Sequence, residues 1–235
     1  MTEFSRVDII ALVYFLGAWA AYNYASDRRG ARTGNLIGVM AEQRVAWMRQ
    51  MLGRDNRMVD LQIIRNLTRM GAFFASTSIL ILAGLVTVLG STDKAIDLFA
   101  NLPLVTQLTP LEWELRLSLL ILIFIYSFFK FAWSIRQLSY CSIQIGAMDP
   151  ASAVDESCTE RSQCIAQLAT LAAVHSNRGL RAYYFAMALL AWFLHPAAFV
   201  VATTWVVLVL YRREFRSRTL GILRDSRAVS PTESS

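Results

Sequence analysis

The sequence predicts an all-α fold, a polytopic membrane helix bundle with about four membrane segments and amphipathic helices on the cytoplasmic side. Three observations lead there. Apolar residues make up 55% of the 235, with a mean hydropathy of +0.42, against about 45–50% in ordinary soluble domains. The excess gathers in blocks near the roughly 20 residues that a helix needs to cross a bilayer. The cations gather between those blocks, as Lys and Arg do in cytoplasmic loops. We expect one membrane domain over residues 1–220 and a polar, disordered tail at 221–235.

The first segment, about 7–24, carries Trp19, Tyr22 and Tyr24 as interfacial aromatics. Ala18-x-Ala20 imitates a cleavage site, but Glu3 and Asp8 beside Arg6 make a poor signal-peptide charge pattern, so the segment is expected to stay as a membrane helix. Asp8 reads as a helix-start residue at the outer boundary. Nine arginines follow between Arg28 and Arg69, which places that stretch inside. Within it, "NLIGVMAEQRVAWMRQML" puts Leu36, Met40, Trp47 and Met51 on one helix face, with Gln43, Arg44 and Gln50 turned away. Gly53 ends this helix, and Asp55 and Asn56 are natural caps for the next, which continues into the second segment at 72–89.

The loop "STDKAIDLFANLPLVTQLTPLEWE" is acidic and faces outward, with "LFANLPLV" resting on the outer interface. The third segment, 115–132, then delivers "KFAWSIRQLSY" to the cytoplasmic boundary. The last block, 182–210, would be about 43 Å long as one straight helix, too long for a hydrocarbon core of roughly 30 Å. A single crossing would also carry six tail arginines outside. Two solutions stay open: a hairpin broken at His195-Pro196, or one long tilted helix combined with a different orientation elsewhere.

Phe129, Trp133, Arg136 and Tyr140 share a helix face and suit an interfacial anchor. Lys130 lies deeper, among Phe128, Phe129 and Phe131, where a cation needs a partner or water. Arg57 and Asp60 are spaced to pair, while Arg65 and Arg69 are like charges one turn apart that call for an anion. Asp60, Arg65, Arg69, Lys130 and Arg136 are therefore the candidate ion or lipid-headgroup binding residues. Ala72, Ser76, Ala83, Gly84 and Thr87 form a small-residue stripe suited to close helix packing. Ser76, Thr77, Ser78 and His195 are candidate path-lining residues.

No acid–base dyad, phosphate loop or metal cluster is legible, so neither cofactor nor metal is expected. Cys141, Cys158 and Cys164 fall in stretches expected to be cytoplasmic, where thiols stay reduced. The surplus arginine lacks interleaved aromatic platforms, which disfavours nucleic acid as a partner.

"NRMVDLQIIRNLTRMGAFFASTSILILAGL", "KFAWSIRQLSYCSIQIGA", "GLRAYYFAMALLAWFLHP" and "VLYRREFRSRT" together resemble an integral-membrane family shared by bacteria and plants, domain of unknown function family 599. The resemblance runs from about Asp8 to Thr219. It implies about four spans, and it carries no activity or functional residue with it.

The leading expectation is a non-enzymatic homo-oligomer in the bacterial inner membrane that forms a path for small ions, anions among them, because rings of basic side chains select anions. An accessory subunit that binds acidic lipids or a larger membrane complex is the alternative. An enzyme acting on lipid headgroups, with Asp60 or His195 as base, ranks third, since a base needs a partner within hydrogen-bond reach.

Overall fold

The computed structural model describes residues 6–30, 36–92 and 109–228. They are helical almost throughout, with no strand among the described residues. The helices are α1 Arg6–Gly30, α2 Leu36–Leu52, α3 Met58–Leu89, α4 Pro110–Gly146, α5 Glu156–Leu190, α6 Pro196–Phe215 and α7 Arg218–Ala228. Among the described residues four stretches are long and apolar enough to cross a membrane: Arg6–Arg28, Met58–Leu89, Pro110–Gly146 and Pro196–Leu223. The stretch with "LFANLPLV", expected from sequence to rest on the outer interface, lies outside the described residues.

Local sequence sets where each helix begins. Asn56 Oδ1 accepts the Met58 amide at 3.0 Å, which makes it the cap that the sequence suggests for α3. Thr109 and Glu112 form a reciprocal capping box at the start of α4, with Pro110 in the first helical position. Asp155 Oδ1 accepts from the Ser157 hydroxyl at 2.7 Å and the Cys158 amide at 2.9 Å to open α5. The Ser217 hydroxyl accepts the Leu220 amide at 3.2 Å, and Leu220 is buried. That cap and that anchored leucine carry α7 through Ala228, past residue 221 where the sequence suggests a disordered tail.

The chain divides into two compact units. Unit one takes its described residues from Met1–Asn23, Met70–Trp133 and His175–Leu208. Its centre is aromatic: Phe15 meets Phe185 and Phe199 with ring centroids 5.7 and 5.0 Å away, and Trp19 meets Phe185 and Tyr126. Since Phe15 touches both α5 and α6, the 182–210 block is folded back on itself. Trp192, in a 3-10 turn at Ala191–Phe193, stacks on Phe199 at 4.9 Å, and His195-Pro196 starts the return helix. The hairpin alternative is the one adopted.

Unit two takes its described residues from Tyr24–Arg69, Ser134–Val174 and Val209–Ser235. Its core joins Met48, Met51 and Leu52 of α2, Ile64 of α3, Leu138, Cys141 and Ile145 of α4, and Ile165, Ala169 and Ala172 of α5. The buried face of α2 centres on Val39, Met48 and Met51. Arg44, read from sequence as turned outward, is half-buried, and burial pushes its guanidinium below the usual arginine range.

α4 and α5 are tied by short polar side chains that donate across to backbone. In unit one Ser127 donates to the Gly179 carbonyl at 3.0 Å. In unit two Ser134 donates to the Ala172 carbonyl at 2.7 Å and Cys141 Sγ to that of Ile165 at 3.7 Å. Donors and acceptors step by seven residues in opposite directions, the repeat of antiparallel helices packed by a heptad seam. Such closeness needs small side chains. A Cβ on Gly179 would sit 2.8 Å from Phe131 Cζ.

The small-residue stripe on α3 behaves differently. Ala72, Ser76, Ala83, Gly84 and Thr87 are all exposed, and a Cβ on Gly84 would meet nothing within 4 Å. Among the described residues the stripe therefore packs against no other helix.

Gly179→Ala is expected to destabilise the protein by about 1–3 kcal/mol, the range for overpacking, with Phe131→Leu partly restoring it. Thermal unfolding in detergent tests this, and an unchanged midpoint for Gly179→Ala would refute the packing account. A second expectation concerns Asp155. The Ser157 hydroxyl, then the Cys158 amide, hold its carboxyl at about 2, below an unfolded value of about 3.9. The cap's contribution is thus complete above pH ~4 and lost as pH falls toward 2. The Cys158 amide resonance should titrate near pH 2; a midpoint near 4 would show the bonds absent.

Candidate functional site

Two buried polar constellations stand out, one in each unit. In unit one Asp8 and Arg116 are 5% and 2% exposed, and their charges meet at 3.1 Å. Asp8 Oδ1 also accepts the Trp192 indole N–H at 2.7 Å. Arg116 Nη1 donates to the Trp192 carbonyl at 2.6 Å, and its guanidinium lies 4.8 Å from that indole ring centroid. Three places in the sequence converge: the first turn of α1, the second turn of α4 and the α5–α6 break. Asp8 is the helix-start residue expected, with the added role of counter-ion. Arg116 and Trp192 were not singled out by sequence. The readable signal was a lone arginine two residues into an apolar segment, which demands a partner.

In unit two Asp60 is a fully enclosed carboxylate. Its Oδ1 accepts from Arg54 Nη1 and from Trp47 Nε1, both at 2.7 Å. The expected Arg57–Asp60 pair is replaced: Arg57 donates instead to the carbonyls of Met148 and Asp149, just past the end of α4, where peptide dipoles favour a cation. Asp60 pins α2 to α3. It is held away from the exposed Arg65 and Arg69 by the helix itself, since it points to the buried side.

The remaining candidates disperse. Arg136 is exposed and donates from Nε to the Tyr140 hydroxyl at 2.8 Å, one turn on, as an interfacial anchor would. Lys130 is half-buried, with its ammonium 5.1 Å from the Tyr126 ring centroid. Thr77 bonds the Phe73 carbonyl of its own helix at 2.8 Å, and Ser78 is buried between the Phe74 carbonyl and the Tyr183 hydroxyl. Ser76 is exposed. His195 Nδ1 accepts the Ala197 amide at 3.1 Å and so caps α6. Its part is that of a turn residue.

Among the described residues no group of three or more His, Cys, Asp or Glu is placed to hold a metal. An open groove of about 350 Å³ between α2 and α5, lined by Ala41, Glu42, Val45, Ala166 and Leu171, is almost wholly apolar and brings no reactive groups together.

The family described as protein of unknown function, DUF599, matches residues 10–219, nearly the whole chain, and the chain belongs to it. No curated protein and no solved structure matches.

Removing either charge of the buried pair, by Asp8→Leu or Arg116→Met, is expected to cost about 3–5 kcal/mol because the other charge is left uncompensated. The double variant should cost less than either single one. Unfolding midpoints of the four proteins decide this; additive losses would mean that the two charges do not depend on each other.

Proposed function

We propose that this DUF599-family chain is a non-catalytic accessory or scaffold protein of the bacterial inner membrane. Four helices of sufficient length and apolarity support the membrane placement. The hairpin at His195-Pro196 supports an orientation that the arginines also favour. With the N-terminus outside, α1 and α4 run inward and α3 outward. The second half of α5 then returns outward and α6 comes back in, leaving Arg212, Arg213, Arg216 and Arg218 in the cytoplasm. Residues 175–190 span only ~24 Å, so this passage is a short one that needs neighbouring helices around it.

The observation that supports the accessory role is that the polar side chains singled out as candidates make structural bonds, within a helix, at its cap or between helices. Asp60 Oδ1 is held by a guanidinium and an indole, while Oδ2 is buried without a hydrogen-bond partner among the described residues. His195 uses its ring nitrogen as a cap. Ser78 and Thr77 direct their hydroxyls at carbonyls and at Tyr183. Each candidate base has one of its acceptor atoms committed to a structural bond, Asp60 through Oδ1 and His195 through Nδ1. An ion path loses most of its lining within one copy and would have to run between copies.

Reconstituted protein should therefore give no anion or cation flux above that of empty proteoliposomes, and Lys130→Ala should leave that baseline unchanged. Flux that depends on Lys130 would overturn the proposal in favour of a pore built by several copies.

A further inference from the structure

We propose that the exposed arginine stripe at the start of α3 binds the headgroup of an anionic phospholipid. The site rests on the membrane placement above and is independent of the accessory role.

Four polar residues, Gln62, Arg65, Asn66 and Arg69, are exposed, while Asp60 and Ile64 are buried on the other side of the same turns. At 100° per residue the four make one continuous stripe. Val59, 63% exposed, with Ile63 and Leu67 makes an apolar arc beside it, and Met58, also 63% exposed, continues the line of the stripe toward the start of the helix. Cationic and apolar surface side by side suits the depth at which headgroup meets acyl chain. A soluble polyanion would have no use for the apolar arc.

Among the described residues no acidic side chain pairs with this stripe. Five arginines elsewhere have acceptors: Arg54 has Asp60, Arg57 two carbonyls, Arg116 Asp8 and Trp192, Arg136 Tyr140, and Arg161 Asp149. Arg65 and Arg69 make no ion pair or hydrogen bond among the described residues. They are one turn apart, about 6 Å along the axis, where like charges repel. A phosphodiester placed between two guanidinium forks removes that repulsion and is matched by their donors. Gln62 and Asn66 add amide donors beside it.

The test is native mass spectrometry of the full chain in neutral detergent. It is titrated with phosphatidylglycerol, with phosphatidylcholine of the same acyl chains, and with inorganic phosphate. The wild type should bind phosphatidylglycerol roughly tenfold or more tightly than phosphatidylcholine. That preference should vanish in Arg65→Gln/Arg69→Gln and persist in the charge-matched Arg216→Gln/Arg218→Gln. Raising the salt on the wild type should weaken phosphatidylglycerol alone, a readout that needs no variant to fold. An unchanged preference in the α3 variant would overturn the proposal. So would an equal loss in the tail variant, which would indicate diffuse attraction, or displacement of the lipid by inorganic phosphate, which would indicate a free-anion site. None of these results depends on whether reconstituted protein conducts ions.

Discussion

The ion pair between Asp8 and Arg116 is the constraint on which unit one depends. Between helices in a bilayer the hydrophobic effect contributes little, because lipid tails are as apolar as leucine. Association then comes from close packing and polar ties. An unpaired charge at membrane depth costs about 2.5–3.5 kcal/mol even on the lenient insertion scale, so Asp8 and Arg116 each require the other. Trp192 completes the arrangement by donating its indole N–H to Asp8 and accepting from Arg116 through its carbonyl. Because Trp192 belongs to the turn at Ala191–Phe193, the same contacts fix where the α5–α6 hairpin reverses.

The α4–α5 seam adds a second ordering device. Ser127, Ser134 and Cys141 each reach a carbonyl on α5, and Gly179 and Ala172 supply the small side chains that allow the approach. Each tie is weak, about 0.6 kcal/mol by the average for membrane hydrogen bonds. Their value lies in register: sliding either helix by one residue would break all of them.

In unit two the polar ties are of a different kind. Asp60 and Arg57, three residues apart at the start of α3, look outward to α2 and to the end of α4 rather than to each other. A short pair on one helix gains only about 0.3–0.5 kcal/mol, whereas a fully enclosed carboxylate must have charged and hydrogen-bonding partners to be tolerated at all. The residue with the most suggestive chemistry in the sequence thus holds helices in place. Arg65 and Arg69 lie exposed on the other side of the same helix.

The sequence by itself determined helices long and apolar enough to cross a membrane, the end of α2 at Gly53, the Asn56 cap and the family. All of these rest on local composition or on spacing along one helix, which the chain carries wherever it goes. It narrowed the 182–210 block to two shapes and could not choose, because a proline permits a kink and a turn alike. Tertiary structure decided what the polar residues are for. Asp8 and Arg116 lie 108 positions apart, and no periodicity links them, although each could be read as a charge just inside an apolar segment on the same side. The sequence placed Asp60 with Arg57 because it sees neighbours along a helix; folding placed it with Trp47 and Arg54 because a buried charge takes the partners that the core supplies.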